Sequence, residues 1–194
     1  MKHIVLVLLS LLLLSGCGAA AKGSVSINQH DRISPRQAVY YKAIVKWQDR
    51  LGEKSFQQFD CPQLVSMRNK IATEGWSNDT VYEIIEEIRT MTSLAMETKD
   101  YWDTPKEFVA KNLQGDCEDI AIFLLAMLKK LDYPGQVRIF AVNIQFVEHA
   151  MLKVQMPDNT WKVFETVKKT ERNMQFAFTP IVEFDHREII FATI

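Results

Sequence analysis

The stretch Gly115-Asp116-Cys117-Glu118-Asp119-Ile120-Ala121-Ile122-Phe123-Leu124-Leu125-Ala126-Met127-Leu128 places a cysteine immediately before a run that is apolar on every side. Asp116 is a good N-cap, Glu118 and Asp119 suit a first helical turn, and an all-apolar run requires a helix buried all round. Cys117 then falls at the first or second helical position. There the unpaired N–H groups and the positive end of the macrodipole favour thiolate, the reactive form of the side chain. Cys117 is thus a candidate nucleophile. The competing reading is a small core residue, because free cysteine is among the most buried residue types.

Working outward, helices come first and strands later. Ser34-Pro35 opens a helix with a cap and an N1 proline, and Pro62 to Ile71 forms a short second one. Asn78-Asp79 caps a third, in which Val81, Ile84, Ile85, Ile88 and Met91 recur at three- and four-residue steps. Thr104-Pro105-Lys106-Glu107 has the form of a capping box, so a fourth helix runs to about Leu113. The cysteine helix stops near Leu131, where Tyr133-Pro134-Gly135 breaks it. Beyond it, Val137 to Ile144, Phe146 to Gln155, Thr160 to Val167, Phe176 to Phe184 and Glu188 to Thr193 are rich in β-branched and aromatic residues. These spacings predict an α+β domain whose C-terminal antiparallel sheet packs on a central, buried, cysteine-bearing helix.

The start of the chain bears on where that cysteine works. Lys2 and His3 precede the apolar run Ile4 to Leu14, too short to span a bilayer and suited to a signal-peptide core. Leu14-Ser15-Gly16-Cys17 resembles a bacterial lipobox, which implies lipidation of Cys17 and removal of residues 1–16. Gly18 is not the aspartate that retains enterobacterial lipoproteins at the inner membrane, so the same resemblance implies the periplasmic face of the outer membrane. Residues 17–30 read as a small, polar tether, and 31–194 as one domain. With 23 basic and 24 acidic residues interspersed, no basic face argues for nucleic acid. An oxidising compartment permits a Cys61–Cys117 disulfide, which would disarm the nucleophile.

A nucleophilic thiol needs a base, and three histidines follow the leader. His30 lies in the tether and His186 in the turn-like Asp185-His186-Arg187. His149 is the one inside a strand pattern, Val147-Glu148-His149-Ala150-Met151. A base must itself be oriented. If the hairpin loop runs from Gln155 to Asn159, centred on Pro157, His149 faces Glu165, Val147 faces Val167 and Met151 faces Val163. Opposed side chains start roughly 5 Å apart at Cβ, close enough for a carboxylate to hold an imidazole. A loop of even length puts Glu165 on the other face. Asp158 reads as a turn former and Asp185 as the reserve orienting acid. Around the thiol, backbone N–H groups of the helix start could bind an oxyanion, with Gln114 or Trp102 as a side-chain donor.

These residues resemble the bacterial transglutaminase-like cysteine proteinases. Asp100-Tyr101-Trp102-Asp103-Thr104-Pro105-Lys106-Glu107-Phe108 followed by Gly115-Asp116-Cys117-Glu118-Asp119 is similar to the family's central signature. His149-Ala150-Met151-Leu152, Val163-Phe164-Glu165 and Phe178-Thr179-Pro180-Ile181-Val182-Glu183-Phe184 support it. The resemblance implies a papain/transglutaminase-like fold and thioester chemistry through a Cys117, His149 and Glu165 triad, with glutamate where the family usually carries aspartate. It also implies a protein substrate such as a surface biofilm adhesin, an inhibitory membrane receptor, and calcium held by Asp116, Glu118 and Asp119. No cysteine and histidine spacing suggests zinc. Two other functions fit the same residues: transglutaminase-type amide transfer, and a non-catalytic binding lipoprotein on the same fold.

Overall fold

The structure is a computed structural model that describes residues 33–95, 101–144, 146–167 and 178–192. The signal segment 1–16, the tether with Cys17 and His30, and Phe176 at the expected start of a strand lie outside the described residues. No helix among the described residues is long and apolar enough to cross a membrane.

Helix starts are set by local capping. Helix α1 (Pro35–Ser55) begins at Ser34, which closes a capping box with Gln37. Helix α2 (Leu64–Glu74) begins two residues after Pro62, because Cys61 C=O first accepts the Leu64 N–H in a turn. Helix α3 (Asn78–Met91) is capped by Ser77, not by Asn78 or Asp79; the Ser77 hydroxyl accepts the Thr80 N–H. Strand β1 (Ser93–Leu94) follows. Helix α4 (Pro105–Ala110) carries the Thr104–Glu107 capping box and ends three residues before Leu113. Asn112 and Leu113 adopt left-handed φ values of 57° and 60°, which no helix can continue. Strand β2 (Gln114–Gly115) pairs in parallel with β1 and delivers the chain into helix α5 (Cys117–Lys130).

The remaining strands are β3 (Val137–Ile144), β4 (Val147–Gln155), β5 (Trp161–Phe164), β6 (Phe178–Phe184) and β7 (Ile189–Phe191), in the antiparallel order β5-β4-β3-β6-β7. Ile139 and Ala141 of β3, Ala150, Leu152 and Val154 of β4, and Val182 and Phe184 of β6 form the core with α5, whose residues Ile120 to Leu128 are all buried. The fold is therefore α+β, with helices packed on one antiparallel sheet. On the other face, Phe140, Val142 and Met151 make a second small cluster.

The β4–β5 hairpin departs from the expected register. Its loop is centred on Asp158, with the Asn159 N–H bonded to Met156 C=O, Asn159 at φ 64°, and the Met156 N–H bonded to Thr160 C=O. This is a turn with proline at its second position followed by one left-handed residue. Val163 consequently faces Lys153 rather than Met151. The displacement is by two positions, so every side chain keeps its face.

Candidate active site

The N-terminus of α5 is built around one carboxylate. Asp119 has no solvent exposure; its Oδ1 accepts the Asp103 N–H at 2.7 Å and its Oδ2 the Asp116 N–H at 3.3 Å. Asp116 returns the bond as N-cap, its Oδ1 accepting the Asp119 N–H at 3.5 Å. Gly115 is required just before it, since a Cβ there would strike the Asp119 carboxylate and stand 2.9 Å from the Phe108 ring. Cys117 is the first residue of the helix, held by this frame.

The Cys117 Sγ donates to Glu118 Oε2 at 3.0 Å, and the backbone N–H of Ala150 faces it from β4. Helix position alone suggested a thiolate. Burial and the Glu118 carboxylate outweigh the helix start and the Ala150 N–H, and hold the thiol well above its ordinary range. Cys61 is also a free thiol; it lies beside Lys130 at the opposite end of α5, ~20 Å from Cys117 along the helix. The two do not form a disulfide.

His149 Nε2 and Glu165 Oε1 lie 2.6 Å apart, with 13% and 4% of their side chains exposed. The diagonal of the shifted register brings them together, not direct opposition. Strand β5 ends at Phe164, and the turn that follows aims the N–H groups of Thr166 (2.8 Å) and Val167 (3.0 Å) at the same Oε1. The extra torsion of glutamate relative to aspartate is thereby removed. Thr166 Oγ1 donates to Ala150 C=O at 2.8 Å, fastening this turn to β4 where the β4–β5 backbone ladder stops. Cys117 and His149 are not hydrogen-bonded to each other; the thiol is met by the N–H of the residue next to His149.

Asp185 is excluded as an orienting acid. It sits past Phe184, which pairs with Ile139 at the opposite end of β3 from the Val142–His149 pair, and its Oδ1 caps the turn N–H groups of Arg187 and Glu188. Asp158 is a turn former, accepting from Thr160. His186 stacks on Phe56, with centroids 4.7 Å apart. Trp102 is buried, stacked on Phe184 and tilted against Tyr40, whereas Gln114 is exposed in β2 just before the cysteine turn.

Two neighbours were not legible from spacing. Tyr40 of α1 is buried beside Glu148, Glu118 and Cys117, and burial with those carboxylates raises its phenol. Arg36 Nε donates to Glu148 Oε1 at 2.6 Å, tying the first turn of α1 to the strand of His149. These contacts cross more than seventy positions of sequence and leave no periodic trace.

The expected calcium ligands separate into two groups. Asp119 points inward, with both oxygens taken by backbone N–H groups. Asp116 and Glu118 crowd each other: burial, then Glu118 and Asp119, push the Asp116 carboxyl up to about 8. That pair fits a cation, which would relieve the repulsion; the three-carboxylate set does not assemble. Among the described residues no group of three histidine, cysteine, aspartate or glutamate side chains is placed to hold a metal.

No family model and no curated protein matches this chain. Solved structures do. A candidate cysteine protease from Cytophaga hutchinsonii superposes with a TM-score of 0.50 at 13% identity, over 63% of this chain and 41% of its own. Calcium-bound LapG from Legionella pneumophila superposes with a TM-score of 0.50 at 16% identity, over 76% of this chain and 87% of its own. This chain thus spans less than half of the Cytophaga protein and most of LapG. At these identities the likeness is one of fold, and that fold is cysteine-protease-like.

Proposed function

We propose that this chain is a cysteine endopeptidase that cuts a protein substrate through Cys117, His149 and Glu165. The observation that carries the reading is the 2.6 Å His149–Glu165 contact, fixed by two backbone N–H groups and one residue removed from the N–H that meets the Cys117 sulfur. Glu165 holds the proton of Nε2, which leaves Nδ1 free to act as base. As Sγ attacks the substrate carbonyl, the Cys117 proton passes to Nδ1. Backbone N–H groups at the start of α5 then receive the oxyanion. Collapse expels the amine, protonated by His149, and leaves a thioester. Water, deprotonated by the same imidazole, releases the acid and restores the thiol.

The lipobox-like Leu14 to Cys17 supports a lipid-anchored protein at the periplasmic face of the outer membrane. By the family resemblance, the substrate is a surface adhesin and access is governed by an inhibitory membrane receptor. Asp116 and Glu118 are the residues that would hold calcium. The ion would supply charge neutralisation beside the nucleophile's turn.

The test is Cys117→Ala in the mature chain. Cleavage of the host's surface adhesins, read by mass spectrometry of shed fragments, should vanish while the unfolding midpoint stays within a few degrees. Unchanged shedding removes the peptidase reading. Incorporation of a labelled primary amine without cleavage replaces it with amide transfer.

A further inference from the structure

We propose that the tip of the β3–β4 hairpin is a lipid-contacting surface that enters the headgroup region of the bilayer. Phe146 is 95% exposed and Val147 66%. Ile144 pairs with Val147 on one side and with Phe178, itself 41% exposed, on the other. An apolar row therefore crosses the three central strands at one end of the sheet. It is firmly backed, since the Phe178 ring packs edge-on against Phe140 at 5.6 Å. Phe146 holds φ at 74°, with its N–H bonded to Asn143 Oδ1 at 3.0 Å. That conformation suits glycine or asparagine, so a bulky aromatic is displayed to water at a backbone cost. A pocket for a peptide side chain is concave and encloses its ligand, whereas Phe146 protrudes.

The position of the tip selects a bilayer as the occupant. Arg36, in the first turn of α1, pairs with Glu148, the residue after Val147. The first described residues, Ile33 and Ser34, thus lie on the tip's side of the domain, and a chain as long as the 17 residues from Cys17 to Ile33 has a reach of ~20–25 Å. This step rests on the proposed lipid anchor at Cys17, which brings the exposed aromatic within reach of the membrane surface. Apolar side chains entering that boundary add to the attachment and fix which face of the domain looks outward.

Flotation with vesicles of phosphatidylethanolamine and phosphatidylglycerol tests the tip without the anchor. The mature chain carrying Cys17→Ser is compared with the same chain carrying Phe146→Asn, whose new side chain is at ease at positive φ. Partition should fall about tenfold in the second chain, the loss expected for withdrawing one large apolar side chain, while the unfolding midpoint holds or rises. Val147→Thr should act in the same direction. Equal partition in all three chains overturns the proposal. So does unchanged partition combined with a raised KM in vesicle-free solution, which would make the tip a protein-docking site. The anchor is judged separately by the intact mass of the mature protein, so failure of either reading is recognisable.

Discussion

Replacing Glu165 with glutamine isolates the charge of the third residue from its geometry. One oxygen, Oε1, accepts from His149 Nε2 at 2.6 Å and from the N–H groups of Thr166 and Val167 at 2.8 and 3.0 Å. In Glu165→Gln the two backbone donors demand an acceptor and so keep the amide carbonyl oxygen at that point. His149 retains its tautomer and orientation, and what disappears is the negative charge. A hydrogen bond to a charged group is worth about 1–2 kcal/mol more than a neutral one, so kcat/KM should fall about 5- to 30-fold. His149→Ala removes the base itself and should cost about 100-fold or more. The assay is kcat/KM on a cleaved protein substrate, with iodoacetamide alkylation of Cys117 as a substrate-independent check on thiol activation. A Glu165→Gln chain that matches the parent in both would refute the orienting role. A loss as large as that of His149→Ala would mean that the amide had flipped and the two N–H groups do not control it.

Three further outcomes test other parts of the site. Gly115→Ala should destabilise the fold by about 1–3 kcal/mol, because its methyl collides with the Asp119 carboxylate and Phe108; an unshifted urea midpoint would contradict this. Added calcium at about 100 times its Kd should stabilise by about 2.7 kcal/mol, and Glu118→Gln should abolish the effect; a thermal midpoint indifferent to calcium and to chelator removes the metal. His186, pressed on Phe56, has its pKa lowered chiefly by burial, with Arg187 and Lys129 acting in the same direction against the neighbouring Asp185 carboxylate. The unfolded chain then binds that proton more readily, so stability should fall as pH drops below about 6.5, the unfolded value. His186→Phe should flatten the urea midpoint between neutral and mildly acidic pH, and an identical slope would exclude the residue.

What could be read from the chain was local. Ser34, Thr104 and Asp116 announced their helices because each cap bonds within three residues, and the apolar run after Cys117 could only be a buried helix. Ser77 does not stand out as the cap, because Asn78 and Asp79 are equally good capping residues and only backbone geometry chooses among them. The pairing of His149 with Glu165 follows from parity, whereas the loop centre does not: asparagine tolerates the left-handed φ that Asn159 adopts, but its presence alone does not say which loop residue takes that conformation. The two N–H groups on Glu165 were hidden, since Thr166-Val167 read as continued strand. The parallel β1–β2 pair, Tyr40 and the Arg36–Glu148 tie depend on distant segments meeting. The raised Cys117 thiol reflects burial and the Glu118 carboxylate prevailing over helix position, and of these only the burial is hidden from the sequence.

Helix α5 is wrapped by apolar contacts along its length while its first residue carries the thiol. The proposed nucleophile is therefore mounted on the most deeply buried helix of the domain and not on an exposed loop. Inactivation by heat should then be a single cooperative event, with catalytic competence persisting until the whole domain melts.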